Sequence, residues 1–571
     1  MDIPFIGGAY EGLSKDANPQ RTRNLYYVPA IGGGDPFLTG TPGLKLQINL
    51  SGGITTSGDH GVTVDGSRNT GVIRGMHVVG DYLYVVCGNC VVKLSSAFNS
   101  TLYSAASAGA TLLFLAGDLT KLVSQYDRVG IVQDDETVYW ARVMQVPSRF
   151  GITSTTINIL ASGAEYYDID SAAAKGNACY FFRVINPSIM ATSTGFVTMA
   201  DNGTELMICD GVNGYVYNTT TGAWTQLTED DHNFFGGGSV TFQDGYLLYH
   251  QPSSNSFYFS SINNALSYDP LDETVAQAKS GDIVRLFSDH RELFVFKKYS
   301  VERFYNAAQT DITFARTVGG DISVGCAAAG SVVSLNNTIF WLALDSNGGL
   351  TVQMIDGASS KVISPPAICE RIEGYSCVDD AIAFGYMIDG QAFYQITFPT
   401  ASETWLFDVS TAMWFERTSY RDELSKDGRH RANCFVHFND KNLVGDYSNG
   451  NLYALDPDIF TDNGEKIVRQ RVAQTVSGGQ VVKIAVIELI CETGVALTSG
   501  QGSDPKVMLR VSKDGGHTWR PERQGSIGKV GEYGHRVRFK RFGRAEQLTV
   551  EVKQTDPVKC VWRGMKIKVG E

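Results

Sequence analysis

Along most of the chain, apolar residues recur at every second position, in short runs bounded by Gly, Asn or Asp. That period belongs to a strand with one buried face, whereas helices repeat near 3.6 residues. Sustained helical periods are almost absent. The clearest strand runs are 81–94 (DYLYVVCGNCVVKL), 241–249 (TFQDGYLLY), 292–304 (ELFVFKKYSVERF) and 339–344 (IFWLAL). The first two predict hairpins with Gly88-Asn89 and Asp244-Gly245 at the tips, pairs that accept the backbone of a tight two-residue turn.

Clusters of such strands begin near residues 74, 197, 238, 282, 330, 376 and 431. After the long first gap they lie roughly 40–55 residues apart, the size of a four-stranded propeller blade. Several share a loose pattern, as in LYVVCGNCVVKL, LMICDGVNGYVYN and NLVGDYSNGNLYALD. Blade-sized sheets cannot bury their faces alone, so they must stack. The expected fold is all-β: an irregular β-propeller with a small β insertion domain and a C-terminal β-sandwich. A series of unrelated β-sandwiches is the alternative, because no WD or kelch signature is present.

The boundaries follow. Residues 1–70, rich in turns, read as an extended N-terminal arm or platform whose order depends on what it packs against. Residues 71–477 form the propeller, interrupted at 100–170 by a small barrel or sandwich. Residues 478–571 form the last domain, with alternating strands such as VVKIAVIELICE, KVMLRVSKD and HRVRFKRF.

Composition agrees with strands and turns. Glycine accounts for 61 of 571 residues, aromatic residues for 11% and charged residues for only 19%. The net charge of −12 excludes a whole-chain electrostatic grip on DNA, but not a local basic face. That face has a candidate, since 482–571 carries 17 Lys and Arg against 10 Asp and Glu. Such asymmetry marks a separate domain with its own partner surface. The opening has no basic segment followed by an apolar one and does not read as a secretory signal. The most apolar stretch, 481–497, is broken by Lys483, Glu488 and Glu492, so no membrane segment is expected. The ten cysteines show no dense framework and are expected as reduced, mostly buried thiols.

The candidate chemistry is sparse. Ser512, Asp514, Gly516 and Trp519 make an Asp-box-like S-x-D-x-G-x-T-W hairpin, whose role is structural: the carboxylate ties the turn backbone and the indole covers it. Cys87 and Cys90 form a CxxC, but no second pair or histidine pair lies near it, and it falls on a predicted hairpin. No HExxH, GxSxG or GxxxxGK[ST] motif occurs. Carboxylates gather at turns, as at 134–136 and 229–231, where solvation explains them; paired glycosidase carboxylates would need closeness in space, which sequence does not give. The expectation is therefore no catalytic residues, no metal and no cofactor. The most basic stretch is 535–544 (HRVRFKRFGR). Alternation points Arg536, Arg538 and Lys540 to one face and Val537 and Phe539 to the other, with Arg541 and Arg544 following at a turn around Gly543. This is a candidate docking face for an acidic partner, or for DNA backbone, against the plainer reading of a solvated strand.

Many weak segments, in order, resemble one family. IPFIGGAYEGLSKDANPQRTRNLYYVPA at the start, TPGLKL at 41–46, RGMHVVGDYLYVVCGNCVVKL at 74–94, ARTVGGDISVGCAAAGSVVSLNNTIFWLA at 315–343, ISPPAICERIEGY at 363–375, WFERTSY at 414–420 and the closing HRVRFKRFGR and DPVKCVWRGMKIKV are similar to the tail hub, or nozzle, proteins of short-tailed bacteriophages, also called packaged-DNA stabilisation proteins. The resemblance covers most of the chain outside the insertion, and no single motif in it is diagnostic. It implies a virion tail protein made in the host cytoplasm. It also implies a homohexameric ring below the portal and its adaptor. That ring would pass genomic double-stranded DNA, keep it packaged, and carry tail fibres, spikes or a needle. The alternative function is a propeller that binds or hydrolyses glycans at the host surface, supported by the single Asp-box and the aromatic content. A head–tail adaptor that grips DNA directly fits poorly, because such adaptors tend to be smaller and helical.

Overall fold

A computed structural model of the chain describes residues 2–11, 19–30, 33–51, 71–107, 110, 112–125, 127–134, 138–150, 154–159, 173–309 and 313–570. The expected arm at 52–70 and the carboxylates at 135 and 136 lie outside the described residues. Two compact units are present. One comprises Met1–Lys45, Ile322–Arg431 and Leu455–Glu571; the other comprises Leu46–Asp321 and Ala432–Ala454.

The second unit is built of antiparallel four-stranded meanders. One is Thr198–Asp201, Glu205–Cys209, Gly214–Asn218 and Trp224–Leu227; the next is Val240–Gln243, Tyr246–His250, Ser256–Ser261 and Asn264–Val275. A third runs Ile283–Asp289, Glu292–Lys297, Val301–Asn306 and Phe314–Arg316. Before them comes Ile73–Val79, Tyr82–Cys87 and Cys90–Ser95, closed by Ala178–Val184. Ala432–Phe438, Lys441–Asp446 and Asn451–Asp456 form the last, and the early strand Gly43–Asn49 lies beside them in the sheet. A tight turn at both predicted tips links its strands: Asp244 and Gly245 have φ of 49° and 92°, and Gly88 has 57°.

These sheets stack because their middle strands are apolar on both faces, which is why they read as near-continuous hydrophobic runs. Leu83 and Val85 pack with Leu443 and Leu452 on one side, while Tyr84 and Val86 pack with Ile208 and Tyr215 on the other. The alternation repeats down the series. Leu206 and Ile208 face back, Met207 and Cys209 face forward onto Leu247 and Tyr249, and Leu248 faces on to Leu286 and Val295. Sheets sharing alternate faces in this way are the blades of a β-propeller.

The insertion grows out of the first blade. Ala178–Val184 pairs with the blade through Val184↔Val92 and with the insertion through Phe181↔Val129. Leu112–Ala116, Ser154–Asn158 and Ser148–Phe150 make a second small sheet, and Leu113, Leu115, Val129, Ile131, Ile157 and Phe181 share one core.

The first unit holds two further blades, around Thr338–Leu344 and Gln391–Phe398, whose Phe340, Leu342, Tyr394 and Ile396 share a core. A short helix, Pro366–Glu373, which strand periodicity did not predict, adds Ile368 and Ile372 to it. The same unit contains the C-terminal β-sandwich: Val476–Cys491, Lys506–Ser512, Arg523–Ser526, Val537–Gln554 and Val561–Gly570 around Ile487, Leu509, Val550 and Trp562. Here one expectation is corrected. The strands of the N-terminal arm before Gly43 join this domain's sheet, whereas Gly43–Asn49 joins the last blade, so the described arm is not a separate platform. Asp2–Ile3 and Phe37–Gly40 pair with Val561–Gly570, and Pro19–Arg23 pairs with Arg469–Val472. Sheet edges carry unpaired amides, and these strands use them.

His250 contributes to the acid response of the propeller. It is buried, its Nδ1 lies 2.9 Å from Ser239 Oγ, and a Cβ at Gly238 would sit 2.2 Å from its Nε2. Burial pushes its pKa down from 6.5 to about 4. The unfolded chain takes up this proton below pH 6.5 and the folded chain does not, so stability is full above that pH and falls as pH drops toward 4. The total loss is at most ~3 kcal/mol. His250→Gln is expected to flatten this decline when denaturation midpoints at pH 7 and pH 4.5 are compared. An unchanged decline contradicts it.

Candidate functional site

The basic segment lies in one 18-residue strand, Val537–Gln554, paired along its first half with Val476–Cys491. Alternation holds from 537 to 540: Val537 and Phe539 are buried, Arg538 and Lys540 exposed. The expected turn around Gly543 is absent. A register shift opposite Ala485, with φ of 69° at Arg541 and 76° at Gly543, forms a bulge instead, and Phe542 is buried within it. A bulge adds a residue and bends the strand without ending it. Arg541 and Arg544 are exposed. Their backbone carbonyls accept from the Arg523 and Lys513 side chains, which pins the bulge.

The neighbouring strand places Glu488 under the arginines. Arg536 Nε and Nη2 donate to its two oxygens at 2.7 and 2.9 Å, and Arg538 Nε donates at 3.2 Å. Arg536 first and Arg538 second hold this carboxyl below the usual range. So two of the five predicted cations are partly spent within the fold, and Lys540, Arg541 and Arg544 keep their charged ends outward.

The Asp-box residues come together as a hairpin between Lys506–Ser512 and Arg523–Ser526. Ser512 Oγ donates to Asp514 Oδ1 at 2.5 Å, Thr518 N donates to the same oxygen at 2.8 Å, and Gly516 N donates to Ser512 Oγ at 2.9 Å. Ser512 first, then the Thr518 hydroxyl and amide, hold the half-buried Asp514 carboxyl well below its usual range. Gly516 has φ 99°, a conformation that favours glycine. Trp519 is half-buried with the Arg510 guanidinium 4.8 Å from its ring centre, and Arg510 is forked onto Glu551 at 2.7 and 2.6 Å. Ser512, Asp514 and Gly516 bond within the loop, and Trp519 lies against Arg510 on the strand beside it.

Cys87 and Cys90 are direct cross-strand neighbours, both buried, and burial pushes the Cys87 thiol up. A raised thiol is a poor nucleophile and a poor metal ligand. Glu229, Asp230 and Asp231 form a short exposed helical turn capped by Thr228. Among the described residues, Cys377, Asp379 and Asp380 are the group that could gather on a metal ion, with ligand atoms within 4.8 Å of one another. Periodicity gave no sign of it. Asp380 Oδ2 already accepts from Thr400 N and Oγ1 at 2.8 and 2.7 Å.

The buried arginines were not legible as such. Arg471 Nε donates to Phe5 O at 2.6 Å, Nη1 to Gly8 O at 2.9 Å and Thr22 Oγ1 at 2.7 Å, and Nη2 to Gln20 Oε1 at 2.6 Å. Arg417 binds Asn24 Oδ1 at 3.2 Å and Pro42 O at 2.7 Å. Both fasten the N-terminal strands to the sandwich and its adjoining blade. No described helix is long and apolar enough to cross a membrane.

Two family profiles match the chain. Bacteriophage P22 Gp10, beta-propeller, covers residues 183–460, and Bacteriophage P22 Gp10, beta-sandwich, covers residues 472–570. Together they span most of the chain and coincide in kind with the two folds described above. A propeller and sandwich of this type define a structural protein of a phage tail. The chain belongs to the family of bacteriophage P22 Gp10, the tail nozzle or hub protein of a podovirus. Among curated proteins no relative matches by sequence. Among solved structures, the N-terminal domain of Nup159 is similar at 9% identity, 76% of this chain, 98% of that chain and TM-score 0.36. The computationally designed Ika8 protein follows at 8% identity, 68% and 98% coverage and TM-score 0.31. YCF48 bound to D1 peptide follows at 9%, 68% and 94%, and 0.31. At these scores the likenesses carry no argument about function.

Proposed function

We propose that this protein is the tail hub: a hexameric ring below the portal and its adaptor that continues the DNA channel, retains the packaged genome and carries fibres, spikes or a needle. The observation behind this reading is the P22 Gp10 match across both propeller and sandwich. Charge supports it. A chain of net −12 repels phosphate, so DNA can slide past without sticking. The role is mechanical, with no catalytic step and no cofactor. Stacked blades with shared cores resist deformation, which suits a ring subunit on a pressurised channel.

A null allele of the gene in its phage tests the reading. Heads are expected to package and then lose their genome, measured as nuclease-protected DNA in purified particles. Stable, full particles without this protein contradict it.

A further inference from the structure

Two surfaces of opposite charge stand apart in sequence. The first is the outer face of the sandwich sheet. In its register Arg538 lies opposite Glu488, which lies opposite Lys566; Lys540 lies opposite Val486, which lies opposite Lys568. One step further, Arg544 lies opposite Lys483. Arg538, Lys540, Arg544, Lys483, Lys566 and Lys568 are all exposed, and Glu488 is the one acid among these paired positions. Val486, half-buried between Lys540 and Lys568, and Val481, 64% exposed, add apolar surface. Three adjacent strands therefore present a basic plate, wider than the single strand that the sequence suggested.

The second surface is on the propeller. Residues 184–278, spanning two whole blades, contain ten Asp and Glu and no Lys or Arg. Their carboxylates concentrate on the helical turn Glu229–His232 and the outer strand Asn264–Val275. Glu229, Asp230, Asp231, Asp269 and Glu273 are exposed there, with Asp272 half-buried. Partial burial first and Asp269 second push the Asp272 carboxyl up. Leu271, 89% exposed, stands among them. None of the six forms an ion pair among the described residues.

We infer that the basic plate of one copy docks on the cation-free blades of a second copy, making the contact between neighbours in the ring; this rests on the hub reading. A contact between two different patches is heterologous, and repeated around an axis it closes a ring. Complementary charge sets register and speeds encounter, and apolar residues such as Leu271 and Val486 supply a dry centre. Double-stranded DNA is the competing occupant of a basic face. Glu488 at the middle of the plate and Val486 beside it fit a protein surface better than a row of phosphates.

The test uses the full chain, with Lys540→Glu/Lys566→Glu/Lys568→Glu as one variant and Asp269→Lys/Asp272→Lys/Glu273→Lys as another. Five of the six positions are exposed and Asp272 is half-buried, and thermal melts check that each variant folds. Ring assembly on the purified portal–adaptor complex is counted by mass photometry. Each variant alone is expected to assemble at least ~10-fold less well than wild type, and an equimolar mixture or the combined six-fold variant is expected to recover rings, because the charges then match with reversed sign. Wild-type assembly should also weaken with added salt. Variants that form normal rings overturn the inference and leave the hub reading standing. A basic-face variant that forms rings but no longer binds a 20-base-pair duplex assigns the plate to DNA and also overturns it. Failure of the combined variant to recover rings, with both single variants folded, does the same. If the wild type forms no ring on the connector, the hub reading itself fails.

Discussion

Lys297→Ala is expected to destabilise the propeller by about 3–5 kcal/mol, the cost of orphaning one member of a buried ion pair. Lys297 and Glu302 pair diagonally across the hairpin Glu292–Lys297 and Val301–Asn306, both side chains fully excluded from solvent. Nζ donates to Ala276 O at 2.6 Å, to Lys279 O, and to Glu302 Oε1 at 3.3 Å; that oxygen also accepts from Ala278 N at 3.0 Å. The pair thus ties the blade hairpin to the segment that leads into it. Removing the lysine leaves the buried carboxylate with a single distant cation, Arg316, whose Nε is 3.9 Å from its other oxygen and half in solvent. Lys297→Met/Glu302→Leu should recover part of the loss, because an apolar pair carries no charge to desolvate. The backbone groups at 276, 278 and 279 still lose partners, at about 1–3 kcal/mol each if they stay dry. Denaturant midpoints check both. A single variant within 1 kcal/mol of wild type, or a double variant worse than the single, contradicts the burial of the pair.

Arg471→Met is expected to release the N-terminal strands. Its guanidinium is fully buried and spends four bonds on Phe5 O, Gly8 O, Gln20 and Thr22. Burial pushes its pKa down to about 9, yet it remains charged at neutral pH. Methionine fills much of the volume but strips the Phe5 carbonyl of its donor and leaves Gly8 O only the Thr22 hydroxyl, at 3.1 Å, so the cost is on the order of 4 kcal/mol. The loss should be local at first. The amide of Ala9, which donates to Trp414 O at 2.7 Å, and the ring of Phe5, against Trp562, should lose protection together. Limited proteolysis with mass spectrometry is expected to show early cuts within the first 30 residues while the sandwich stays intact. Cleavage at the wild-type rate contradicts the clamp.

The propeller was legible because its middle strands are apolar on both faces. LYVVC, LMIC and YLLY announce themselves as runs, and their spacing gave the blade starts to within a few residues outside the two blades of the first unit. The hairpin tips were legible because two-residue turns demand particular residues, as at Asp244-Gly245. The Asp-box was legible for the same local reason. What sequence could not give were partnerships over long separations. Leu38 pairs with Trp562 and Arg21 with Val472, and nothing near residue 38 says so; the early strands therefore looked like an arm. Arg471 alternates with Val472 as a surface arginine would, and only its distant acceptors show that it is buried. The basic strand was visible, but its breadth was not. Lys566 and Lys568 join the plate through Val476–Cys491, and Glu488, about 50 residues from its arginines, tempers it. The bulge at Arg541 was misread as a turn because Gly543 marks both.

The proposed hub is a ring of six copies on the portal and its adaptor. Mass photometry of the purified protein, alone and mixed with its portal–adaptor complex, tests it most directly. The account predicts a monomer alone and six added copies on the complex. A protein that stays monomeric and ignores the complex contradicts it.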